Sequence, residues 1–126
     1  MIPRKDSTKF ESKHVECIKT AVDIARQAIA TSINPSAHLV GSIGPYAVYF
    51  RDGSEYTGAY VNAPGFDPQV VVDYYLAQAR PLTRAGVKTL LAETIPSLVE
   101  IECLGRAAEQ LSDDVEIWVS IACKVG

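Results

Sequence analysis

The chain is short of the residues that staple, anchor or strongly charge a protein. Its three cysteines, Cys17, Cys103 and Cys123, are odd in number and far apart, with no C-x-x-C pair. That excludes a disulfide framework and fits a reduced, cytoplasmic protein. No apolar run approaches the roughly 20 residues that cross a bilayer. The N-terminal Met-Ile-Pro-Arg-Lys-Asp lacks the apolar core of a signal peptide. Positive charge is not in excess: the net charge is −3, which favours neither nucleic acid nor an anionic membrane surface. Histidine is scarce too. His14 and His38 have no acidic residue spaced to orient them as bases and belong to no His-rich cluster, so both read as surface or structural residues.

What is present suffices for one domain, over residues 1–126, with 48% hydrophobic residues. Residues 1–11 are polar and charged and read as a flexible lead-in. From Ser12 a helical stripe begins: Val15, Ile18, Val22, Ala25 and Ile29 recur at steps of three and four. Asn34-Pro35 ends it. A short strand over 38–43 runs into Gly44-Pro45-Tyr46. The connection 44–66 is long for a compact domain and carries turn signals at Asp52-Gly53 and Pro64-Gly65. Its four tyrosines, 46, 49, 56 and 60, need something to pack against and argue against disorder. Within it, the loop at 51–60 either covers a substrate mouth or only seals the end of the fold. Asp67-Pro68 is a strong helix start, and that helix runs to about Ala85 with Val71, Tyr75, Ala79 and Leu82 inward. Pro81 should kink it or weaken its last turn.

The organising stretch is Ala85-Gly-Val-Lys-Thr-Leu-Leu-Ala-Glu-Thr-Ile-Pro-Ser97. Gly86 is placed to end the helix in a left-handed conformation. Val87–Ala92 reads as a buried parallel strand, with Glu93 at its end. Pro96 and Ser97 open the next helix, with Ser97 and Glu100 at capping-box spacing and Ile101, Leu104, Ala108 and Leu111 inward. A final strand spans 115–122. Cys17 and Cys103 fall on helices as small packing residues, and Lys124 reads as part of a solvated terminus.

The order helix–strand–helix–strand–helix–strand predicts an α/β fold with parallel strands and right-handed crossovers. Three such strands leave both sheet edges uncovered, so the expectation is a slice of a larger (β/α) fold. In such folds ligands bind at the carboxyl ends of strands. Glu93 is therefore a candidate ligand-binding carboxylate, with stabilisation by the following helix dipole as the competing explanation. Ser42, Gly44 and Tyr46 lie near the same mouth, where turn chemistry and packing explain them as well.

Three segments carry a family resemblance: Leu39-Val-Gly-Ser-Ile-Gly-Pro-Tyr46 with Asp52-Gly-Ser-Glu-Tyr-Thr-Gly-Ala-Tyr60, then Ala85-Gly-Val through Glu93-Thr-Ile-Pro96, then Ile117-Trp-Val-Ser-Ile-Ala-Cys-Lys124. Together they resemble the homocysteine S-methyltransferases that use S-methylmethionine. The resemblance implies a (β/α)8 TIM barrel of roughly twice this length or more, here incomplete, with these strands as its third to fifth. It implies methyl transfer from S-methylmethionine, or a related sulfonium donor, to homocysteine, giving methionine. It assigns Glu93 to the substrate's ammonium group, with Ser42 and Tyr46 as weaker substrate-binding candidates. It also implies Zn2+ held by three cysteine thiolates, one after the sixth strand and an adjacent pair after the eighth. Cys17, Cys103 and Cys123 match none of those positions, so no catalytic or metal-ligating residue is expected here, and the isolated chain is expected to be inactive. The alternative is a non-catalytic half-barrel remnant, self-associating through its uncovered strand edges.

Overall fold

The computed structural model describes residues 7–123. Helix α1 spans Ser7–Thr31, strand β1 Val40–Ile43, helix α2 Pro68–Arg84, strand β2 Thr89–Ile95, helix α3 Leu98–Ala108 and strand β3 Glu116–Ile121. The three strands form one parallel sheet in the order β1-β2-β3. The element order is the one expected, and several boundaries differ.

Helix α1 starts at Ser7, so residues 7–11 are helical rather than part of a lead-in. A polar run carries no apolar periodicity, yet lysine and glutamate favour helix. The reading of residues 1–6, like that of Lys124, lies outside the described residues. Of the expected α1 stripe only Val22 is fully buried, and Val15 is 37% exposed. The helix lies along one side of the sheet and touches mainly α2.

Asp67 caps α2 as expected, its carboxylate accepting from the Gln69 amide at 2.9 Å. The helix continues through Pro81 to Arg84. At its end the Val87 amide donates to the Leu82 carbonyl and the Gly86 amide to that of Thr83, the paired bonds of a Schellman motif. Gly86 has φ +84°, and a Cβ there would come within 2.8 Å of the Arg26 guanidinium.

The core lies between the sheet and helices α2 and α3. Val71, Val72, Tyr75, Leu90, Ala92 and Ile95 are fully buried there. On α3 the inward face is Glu100, Cys103, Leu104 and Ala107, rotated from the expected one; Ile101 and Ala108 are half-buried. The capping box is half formed: Ser97 accepts from the Glu100 amide at 3.2 Å, while the Glu100 side chain turns inward.

Strand β2 is displaced relative to expectation. It starts at Thr89, and Glu93 stands two residues before its end. An irregularity in the β2–β3 register between Ala92 and Ile95 accounts for this. Thr94 sits inside it at φ +62°, left-handed geometry that a β-branched residue rarely adopts. The insertion lets Glu93 face outward while Ala92 and Ile95 both remain buried.

The long connection is not structureless. It contains three single 3-10 turns, Tyr46–Phe50, Ser54–Tyr56 and Ala59–Asn62. Gly58 brings it against the start of α3: a Cβ there would lie 2.8 Å from the Pro96 carbonyl oxygen, at φ +63°.

Candidate functional site

Side chains alternate across a strand, so registered neighbours share a face. Gly41, Leu90 and Ile117 are in register and belong to the helix-covered face. Ser42, Leu91 and Trp118 are likewise in register and point to the other face, which no helix among the described residues covers. Ser42 and Glu93 are exposed there, and Trp118 is 45% exposed.

On this open face the Ser42 hydroxyl donates to Glu93 Oε1. The structure thus joins two of the three residues singled out from the sequence, one from β1 and one from β2. Glu93 is exposed near the carboxyl ends of both strands, and the hydrogen bond from Ser42 engages its Oε1. A carboxylate so placed can accept from a cationic group while the serine orients it.

Tyr46, the third candidate, is placed differently. Its ring is half-buried in an aromatic group with Tyr49, Phe50, Tyr60 and Tyr74, at centroid distances of 5.9, 5.4, 6.0 and 5.3 Å. Its amide donates to Glu100 Oε1 at 2.5 Å. Of the four tyrosines of the connection, Tyr46, Tyr49 and Tyr60 have ring partners. Tyr49 and Tyr56 nevertheless remain 71% and 66% exposed.

Two residues given no part in the site from the sequence hold the segment that follows β1. Gln78 of α2 makes two hydrogen bonds to Gly44: its Oε1 accepts from the Gly44 amide at 3.0 Å and its Nε2 donates to the Gly44 carbonyl at 3.1 Å. Glu100 of α3, fully buried, accepts from the Tyr46 amide and from the Tyr75 hydroxyl, the latter at 2.6 Å. Burial pushes the Glu100 carboxyl up to about 7, against the opposing pull of the Tyr46 amide. A sequence signal existed for Glu100: with Cys103, Leu104 and Ala107 it lies at helical spacing on one face.

The cysteines do not meet. Cys103 is buried on the helix-covered side, where burial pushes its thiol up and away from thiolate chemistry. Cys17 is exposed on α1 and Cys123 is exposed just after β3. Among the described residues no group of three His, Cys, Asp or Glu side chains is placed to hold a metal. The donor set on the open face, one carboxylate and one hydroxyl, does not fit a thiolate-bound zinc. Nor is any described helix long and apolar enough to cross a membrane.

Residues 2–126 match the family model for homocysteine S-methyltransferase. The chain belongs to the homocysteine S-methyltransferase family. Among relatives of that family, a betaine-homocysteine S-methyltransferase of Drosophila melanogaster is 34% identical over 117 residues, which is 86% of this chain and 35% of that protein. The homocysteine S-methyltransferase of Escherichia coli is 36% identical over 103 residues, 75% of this chain and 31% of that one. Among solved structures, the homocysteine methyltransferase MmuM from Escherichia coli superposes in its metallated form with a TM-score of 0.75 at 30% identity, covering 87% of this chain and 38% of that one. Its oxidised form gives 0.78 at 28% identity, covering 90% and 39%. The chain thus spans 31–39% of the length of these relatives.

Proposed function

We propose that this chain supplies the amino-acid-binding wall of a homocysteine S-methyltransferase, with S-methylmethionine or a related sulfonium compound as methyl donor and methionine as product. The observation that carries this reading is the Ser42–Glu93 pair on the open sheet face, at the carboxyl ends of β1 and β2. Glu93 receives the ammonium group of homocysteine through its free oxygen. Ser42 fixes the carboxylate plane so that charge and direction are set before substrate arrives. Tyr46, whose ring is committed to its aromatic neighbours, shapes the wall rather than contacting the substrate. Zinc, where the family binds it, lowers the barrier by holding the acceptor sulfur as a thiolate. The described side chains here do not fit that role, and no step is assigned to them through the metal.

The fold in this reading is part of a (β/α)8 barrel, and the chain alone is expected to be inactive. The test is a complete barrel carrying this segment. There, Glu93→Ala is expected to raise the KM for homocysteine by roughly 10–100-fold, the worth of a charge-assisted hydrogen bond. An unchanged KM removes the assignment, and zinc-dependent turnover by the 126-residue chain alone would overturn the expectation of inactivity.

A second reading has its own support. Trp118, Val119 and Ile121 of β3 are 45%, 41% and 55% exposed, and an apolar edge strand invites pairing. A non-catalytic half-barrel that pairs with a second copy would be dimeric by light scattering; a monomer rules this reading out.

A further inference from the structure

We propose that Glu100 is a proton-operated latch on the segment 44–62: neutral, it ties the segment onto α2 and α3; ionised, it favours release. The inference rests on geometry independent of the methyl-transfer reading. Glu100 is fully buried and bridges three elements at one oxygen. Its Oε1 accepts from the Tyr46 amide of the first 3-10 turn and from the Tyr75 hydroxyl of α2. Its Oε2 is buried with no hydrogen-bond partner. A neutral carboxyl tolerates that arrangement far better than a carboxylate with one bare oxygen.

Among the described residues, no ion pair balances the charge. From α2 comes the hydroxyl of Tyr75, and from the connection the amide of Tyr46. From α3 itself comes Cys103, itself pushed up by burial, with Glu102 and Arg106 acting on that thiol. From β2, Glu93 is engaged by Ser42 on the opposite face. Neither of the ion pairs among the described residues involves Glu100. The N-terminal dipole of α3 favours the ionised form, but burial outweighs it, and the group titrates near 7.

What yields when Glu100 ionises is the connection. Helices α2 and α3 are locked to each other through Val72, Tyr75, Leu76, Cys103 and Leu104. The connection is held by short turns and leaves Val48, Tyr49 and Tyr56 at its surface. It also buries two more unpartnered oxygens, Glu55 Oε2 and the Tyr60 hydroxyl. All three such atoms among the described residues belong to this segment or to the residue that ties it. The closed form is therefore poised to open rather than deeply stable.

Amide hydrogen exchange of the 126-residue chain, corrected for the intrinsic pH dependence, tests the latch. Opening should become about tenfold easier per pH unit above the ordinary carboxyl range, and level off near 7. Protection of residues 44–62 should thus fall more than tenfold between pH 5 and pH 7 relative to core amides such as Leu76 and Leu90. Glu100→Gln, which keeps the shape and stays neutral, should hold its protection flat with pH. Tyr75→Phe removes a donor that favours the carboxylate and should move the wild-type transition upward. Protection of 44–62 that does not change with pH, or that falls equally in Glu100→Gln, overturns the proposal. Neither result bears on homocysteine binding by Glu93.

Discussion

Gln78 and Gly44 form a two-way bridge, each contributing one donor and one acceptor across the gap between α2 and the exit of β1. Two residues upstream of Gly44 is Ser42, and two downstream is Tyr46. The bridge therefore fixes the backbone from which both project. It resembles an extra rung of sheet made by a side chain, which satisfies a backbone donor and acceptor that no further strand meets.

Gln78→Ala leaves that donor and acceptor without their partner in a half-buried place. The expected loss is about 1–3 kcal/mol, read as a lower midpoint in urea with an unchanged slope. Exchange at the Gly44 amide should rise more than at Leu90.

Ser42→Ala removes the hydrogen bond to Glu93 while leaving the carboxylate. In a complete barrel, homocysteine binding should weaken by roughly fivefold, the equivalent of about 1 kcal/mol. Titration calorimetry checks this, and the effect must be smaller than that of Glu93→Ala. A larger effect would mean that the hydroxyl itself meets the substrate.

Stability should depend on pH through Glu100. Its carboxyl is raised from 4.5 to about 7 in the folded chain, so the fold binds the proton more tightly than the unfolded chain does. The stabilisation is full below about pH 4.5 and is lost as pH rises to about 7, at up to ~1.4 kcal/mol per unit. Glu100→Gln should flatten this part of the curve, which denaturant titrations at pH 5, 6 and 7 will show.

Thr94 pays a conformational cost at φ +62°. Thr94→Asn, a residue more at ease in that region, should raise the thermal midpoint, with a gain on the order of 1 kcal/mol. A lower midpoint would mean that the threonine side chain contributes more than its backbone strain costs.

Leu90 is fully buried at the centre of β2. Leu90→Ala should destabilise by about 2–5 kcal/mol, a large part of the stability of a domain this size. Loss of cooperative unfolding, by calorimetry, is the expected signature.

The element order was legible because helices and strands announce themselves by apolar period, and Asp67-Pro68, Gly86 and Ser97 mark ends by local chemistry. Ser42 and Glu93 could be named from their place at a strand's end. Their contact could not, because it depends on the β1–β2 register that sets Ser42 opposite Leu91, two residues before Glu93 on the same face, and register has no compositional signature. Glu100 was masked by a local rule: its spacing from Ser97 predicts a capping box, and tertiary burial against Tyr75 overrides that. Gln78 was invisible for a similar reason. A polar residue on a helix reads as solvated until the neighbouring backbone that needs it is known.

The open face of the sheet carries its own optical signal. Trp118 is the one tryptophan of the sequence, and it stands in register with Leu91 and Ser42, on the side where Glu93 waits. Its indole is part wet and part packed, so its emission must shift to shorter wavelength whenever that side is covered. Closure by further strands, a second copy or a bound amino acid each removes water from the same ring. The intrinsic fluorescence of the unlabelled protein is therefore a readout of occupancy at the face that matters.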